Sequence, residues 1–224
     1  MGWKASFIIV NKPETVDVKT LLNELGFQNL TKIDDAHFEF TINPKENTVY
    51  VGNYKDNLLI CTPDLPMSFF EGGESYAEKI LNNFFPDSEI CSIVLHSVVN
   101  LWGYSISRSG KKIRARAGSA DDGTFVDLGN PVEEEKELLS KSRLDENGNR
   151  VYSFEEFPDE ELSEDQVGEN FVFEICSRYF GEKLDHADDL LFETLLSGFE
   201  YGKTNIKNNQ VKPNSTKKQW WKFW

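Results

Sequence analysis

The sequence predicts an α/β (α+β) domain over residues 1–202, with a mixed central β-sheet flanked by helices and a flexible C-terminal tail over 203–224. Three observations carry this. Runs rich in β-branched and aromatic residues recur from the first residues onward. Between them lie apolar stripes at helical spacing. The longest β-rich run, from Ile90, is almost continuously apolar up to Val99, which implies a strand buried on both faces and therefore helices on both sides of the sheet.

In chain order, Trp3 to Asn11 reads as a first strand that stops at Asn11-Lys12-Pro13, a turn signal. Val18, Leu21, Leu22 and Leu25 then fall at i, i+3, i+4 and i+7, a helix over 16–25 with Thr15 to cap it and Gly26 to end it. His37 to Ile42, Thr48 to Tyr54 and Asn57 to Thr62 read as an antiparallel meander. Ala77, Ile80, Leu81 and Phe84 form a second helical stripe over 75–85, between Ser75 and Pro86. The run through Val94 is the expected centre of the sheet. After it, Arg108-Ser109-Gly110 turns the chain into a partner strand, Lys111 to Ala117, closed by Asp121-Asp122-Gly123. Residues 130–165 are acidic and read as a surface helix with a loop or as an insertion across the sheet. Ser163 and Gln166 then form a capping box for a helix over 164–180 that buries Val167, Phe171, Ile175 and Tyr179 and ends at Gly181. Asp188 to Tyr201 is apolar and fits a short helix or a strand equally well.

Charge divides the chain. Residues 203–224 hold six lysines and no acid, leaving 18 basic against 38 acidic residues in 1–202, a formal −20. An acidic body repels nucleic acid and anionic membrane, so neither is an expected partner of it. The tail closes on Lys-Lys-Gln-Trp-Trp-Lys-Phe-Trp, and Trp220, Trp221, Lys222, Phe223 and Trp224 read as a docking motif for a protein partner. Docking on the acidic body itself ranks second, and a membrane interface lower still, because the acidic body offsets the attraction. Cys61, Cys91 and Cys176 are widely spaced in apolar runs, as expected of buried reduced thiols rather than disulfides. The start carries no secretory signal core and no apolar stretch is long enough for a membrane span, so the expected location is cytoplasmic. Gly2 and Ser6 fit the N-myristoylation pattern, but a strand beginning at Trp3 explains the same residues.

Few residues point to chemistry. His96 and Ser97 are neighbours in a strand, so they face opposite sides and form no dyad with each other. Lys112, Arg114 and Arg116 alternate along one strand face; pairing with surplus carboxylates is favoured over an anion pocket. Asp121 and Asp122 are candidate acid/base groups in a turn. Asp145, Asn147, Asn149 and Glu156 match oxygen positions of an EF-hand calcium loop, but Arg150 replaces the required glycine and Pro158 falls where the exiting helix should begin. A hairpin explains the same residues, and neither metal nor cofactor is expected.

Several ordered motifs resemble one family. They are Met1-Gly2 with Lys4-Ala5, Leu95-His96-Ser97-Val98-Val99 followed by Trp102-Gly103-Tyr104, Arg114 leading to Ser119-Ala120-Asp121-Asp122-Gly123, and Gly168-Glu169. Over about residues 1–202 the chain is similar to uncharacterised bacterial proteins sharing a domain of unknown function. The resemblance implies a bacterial cytosolic protein without implying a mechanism; a shared site would centre on His96, Ser97, Arg114, Asp121 and Asp122. Two functions follow as expectations. The first is a non-catalytic binding or adaptor protein, of immunity type, that neutralises a basic partner. The second is a hydrolase or phosphate-ester-acting enzyme using His96, Arg114, Asp121 and Asp122. Convergence of those four in one pocket would distinguish them.

Overall fold

The computed structural model describes residues 2–71, 73–155 and 157–202. The tail, with Trp220, Trp221, Lys222, Phe223 and Trp224, lies outside the described residues.

The first strand, β1 (Lys4–Asn11), contains Phe7-Ile8-Ile9-Val10, and all four side chains are fully buried. Alternation sends Phe7 and Ile9 to one face and Ile8 and Val10 to the other. Helix α1 (Val18–Glu24) covers the second face with Leu21 and Leu22. Its cap is Asp17, whose carboxylate accepts the Thr20 N–H at 2.8 Å, rather than Thr15.

Two short strands follow, β2 (Thr31–Lys32) and β3 (Ala36–His37). The expected strand from His37 to Ile42 is instead the helical turn α2 (Phe38–Thr41). Its residues alternate in polarity, yet the same sequence also fits one turn of helix, with Phe38, Thr41 and Ile42 buried and Glu39 and Phe40 exposed. Neighbours settle the choice: the Phe38 N–H donates to Thr194 O at 2.9 Å, and Ile42 O accepts the Ser6 N–H at 2.8 Å.

The meander β4 (Thr48–Tyr54) and β5 (Asn57–Cys61) forms where expected. Helix α3 (Tyr76–Phe84) begins in a capping box: the Glu78 N–H donates to Ser75 Oγ at 3.2 Å and the Ser75 N–H to Glu78 Oε2 at 3.0 Å. Strands β6 (Glu89–His96) and β7 (Leu101–Arg108) are joined by a tight turn over Ser97–Val99, which ends on Asn100 at φ 45°. Strands β8 (Lys111–Ser119) and β9 (Gly123–Leu128) complete this side of the sheet.

The acidic stretch becomes a helical turn at Glu133–Glu135, helix α4 (Lys136–Ser140), and a small second sheet of β10 (Ser142–Leu144), β11 (Arg150–Phe154) and β12 (Phe157–Ser163). Helix α5 (Glu164–Phe180) follows, with the Ser163 N–H donating to Gln166 Oε1 at 2.9 Å and Gly181 at φ 79° ending it. A single π-helical turn at Asp189–Glu193 leads into the last strand, β13 (Leu195–Glu200).

Among the described residues, ten strands form one sheet ordered β2-β13-β4-β5-β1-β6-β7-β8-β9, with β3 also paired to β13. The α/β (α+β) single-domain class with flanking helices holds. The sheet is antiparallel in every described pairing, however, and not mixed. Tight turns join β4 to β5 and β6 through β9 in series, whereas β5 and β6, each antiparallel to β1, flank it and run parallel to one another, so the chain through α3 crosses over β1 between them. Strands β1 and β6 occupy the middle, as expected for the run through Val94. One face packs under α5 and α2, with Phe171, Ile175, Phe38 and Trp102 in its core. The other packs under α1 and α3, with Leu21, Leu81, Phe69 and Phe199. Among the described residues, no helix is long and apolar enough to cross a membrane.

Candidate functional site

The largest concentration of buried charge lies where β8 passes under the start of α5. Residues paired directly across strands project to the same face. Arg116 is opposite Tyr104, and Arg114 is opposite Ile106, so both arginines point at α5. Both are almost fully buried and both are paired. Arg114 grips the buried Glu135 carboxylate, with Nε at 2.8 Å from Oε2 and Nη2 at 2.7 Å from Oε1. Its Nη1 donates to Asp127 Oδ1 at 2.5 Å and to the Leu128 and Gly129 carbonyls.

Arg116 pairs with Glu164 at the first position of α5, and its guanidinium lies 4.5 Å from the Phe171 ring and 5.4 Å from that of Trp102. Glu164 also accepts from Thr124 and, at 2.9 Å, from the Tyr152 hydroxyl. Burial alone would lower both guanidinium pKa values. Glu135 reverses this for Arg114 and Glu164 for Arg116, leaving both above their ordinary range. Burial also pushes up the Tyr104 and Tyr152 phenols. Arg150 also lies 3.8 Å from Glu164, so three carboxylates face three guanidiniums and no positive charge is left over for an anion. The cluster is therefore a structural lock rather than an anion pocket, the pairing favoured by the sequence. Glu135 and Glu164 were not legible as partners: the alternation of Arg114 and Arg116 marks a buried basic face but does not select among the surrounding acids.

Ser97 works as a clamp. Its Oγ accepts the Trp3 N–H at 2.8 Å and its own N–H donates to Trp3 O at 2.9 Å. The hydroxyl also contacts Glu169 on α5. Beside it, the Asn100 amide donates to Asp165 Oδ2 at 2.8 Å. A shallow cleft of about 230 Å³ opens here, lined by Ser97, Asn100, Trp102, Asp165, Glu169 and Asn170 among others. Its carboxylates are engaged in fixing α5 to the 97–99 turn.

His96 does not share that cleft with the arginines. Cys91 and Arg114 both lie opposite Ile106, which puts them on one face. His96 is an odd number of residues further along β6, hence on the other face, and five residues of strand separate it from Cys91 by roughly 17 Å. Lys4 sits directly across from His96. Burial and the Lys4 charge hold its imidazole below the ordinary histidine pKa.

Asp121 and Asp122 are exposed in the β8–β9 turn, where Ser119 Oγ accepts the Asp122 N–H at 3.2 Å. That turn abuts the 97–99 turn through the Ala120 N–H and Val99 O, at 3.3 Å, but is far along β8 from Arg114. The structure thus brings Ser97 near the Asp121–Asp122 turn and separates His96 from Arg114.

The candidate calcium loop sits between strands β10 and β11, not between helices. The Asp145 carboxylate accepts the N–H groups of Asn147 at 2.9 Å and Asn149 at 2.7 Å, the work of a turn-forming aspartate. Glu156 lies outside the described residues. Among the described residues, no group of three or more His, Cys, Asp or Glu is placed to hold a metal ion. Cys61, Cys91 and Cys176 are buried thiols, each pushed up by burial.

No curated protein and no solved structure matches the chain. A family does, over residues 11–179, a span that includes β6, both arginines, Ser97 without its partner Trp3, and nearly all of α5. The chain belongs to the family of unknown function DUF6928.

Proposed function

We propose that the chain is a non-catalytic cytoplasmic binding or adaptor protein whose docking element is the tip Trp220, Trp221, Lys222, Phe223 and Trp224. Its partner is a protein with a groove for that tip. In its finer form this is an immunity-type role, with the acidic body set against a basic partner. One observation carries the reading: the residues able to do chemistry are dispersed or already engaged. His96 and Arg114 lie on opposite faces of the sheet, and Arg114 is held by Glu135 and Asp127. Ser97 is spent on clamping Trp3 and Glu169. The buried thiols support a reducing compartment.

Affinity capture from the native cell tests this, using the full chain and a variant with Trp220, Trp221, Phe223 and Trp224 replaced by serine. The expected result is a partner retained by the first and lost from the second, and captured again when purified. Identical captures would remove the tip from the proposal.

A further inference from the structure

We infer that the surface formed by α2 and the Asp189–Glu193 turn is a docking face, and that its occupant is this chain's own C-terminal tip, folded back on the body. The inference rests on reading the tip as a docking peptide, but it requires no second protein.

Phe40 and Phe192 are exposed to 69% and 50%, among the most exposed large apolar side chains of the body. The elements that carry them are joined. Phe38 at the start of α2 donates its N–H to Thr194 O, and Leu195 pairs directly with His37. Glu39, Asp189 and Glu193 stand exposed in the same elements, and no lysine or arginine occurs in residues 33–44 or 184–202. Apolar patches rimmed by charge mark binding surfaces, and the π-helical turn that presents Phe192 is a rare backbone form that recurs at functional sites.

The occupant follows from complementarity. The face offers aromatic surface within acids; Lys217 to Trp224 offers aromatics interleaved with lysines.

Reach agrees with this. β13 runs from Leu195, at the face, toward Gly202, whose N–H is fixed to Gln28 O. Seven residues at strand rise separate the two by roughly 23 Å. Seventeen residues, 203 to 219, correspond at linker scaling to a root-mean-square span of about 21–25 Å. A tether whose span matches the distance gives the tip an effective concentration on the order of millimolar. A contact of only ~0.1 mM intrinsic affinity is then about 90% occupied.

The test is trypsin cleavage after Lys217 and Lys218 in the full chain, compared with Phe40→Ser/Phe192→Ser and, as a second variant, Glu39→Lys/Glu193→Lys. All four positions are exposed, so the body fold is retained, which circular dichroism checks. The expected result is cleavage about ten-fold slower in the parent than in either variant. The protection is expected to be unchanged on dilution and to weaken in high salt. Equal rates in the parent and both variants would overturn the inference. Protection that disappears on dilution would overturn it too, since the tip would then come from a second copy. Loss of partner capture with tip protection intact sinks only the adaptor reading; partner capture with equal cleavage rates sinks only the folded-back tip.

Discussion

Arg114 and Glu135 are each tolerable in the interior only because the other is there. Two ions removed from water cost several kcal/mol each, and their bidentate contact with the surrounding carbonyls returns most of it. Either one alone is an uncompensated buried charge. We therefore expect Arg114→Met and Glu135→Leu each to destabilise the protein by about 3–5 kcal/mol. The double variant should fall well short of their sum, because both charges leave together. Urea unfolding of the four proteins measures the coupling; additive losses would mean that the two side chains do not act as a pair.

Helix α5 is seated on the sheet by one missing methyl group. At Gly168 a Cβ would lie 2.0 Å from Trp102 Cδ1, so the indole occupies the space a side chain would need. Glycine to alanine at an ordinary helix interior gains up to ~1 kcal/mol. Here the sign reverses: Gly168→Ala is expected to cost about 3 kcal/mol and to alter Trp102 emission, read by thermal unfolding and fluorescence. A more stable variant would show that α5 does not rest on Trp102.

Helix α5 was legible in the sequence from a capping box and an apolar stripe, and α3 from a stripe set between Ser75 and Pro86. Strands β1 and β6 were legible from their unbroken apolar runs. The sequence misleads where neighbours decide: α2 has a strand's alternation, and β2 and β3 are two residues long and exist because β13 pairs with them. Of the second sheet, the β10–β11 hairpin was legible as the alternative to a calcium loop, while β12 was hidden because it is acidic and carries little periodic signal. Of the candidate site, the alternation of Arg114 and Arg116 was readable, while the separation of His96 from Arg114 depends on register, which no local pattern encodes.

At the scale of the molecule, two cores share one sheet, and adjacent residues of β1 belong to different cores. Ile8 packs with α1 and α3, Ile9 with the α5 side. Because neither core can open without the strand between them, Ile8→Ala and Ile9→Ala should each cost about 2–5 kcal/mol. Each variant should still unfold in one transition, with circular dichroism and tryptophan fluorescence coincident. Separate transitions would mean that the two faces fold independently.

The order of the sheet also sets a timetable. β13, near the end of the described chain, is inserted between β2 and β4. A ribosome delivers it after every other described strand, so until then the chain presents the β4 edge, Thr48 to Tyr54, with its backbone donors and acceptors unpaired. A fragment ending before Leu195 would keep that edge permanently. Truncated products of this gene are thus sticky by construction, each able to recruit the next through the place reserved for its own missing strand.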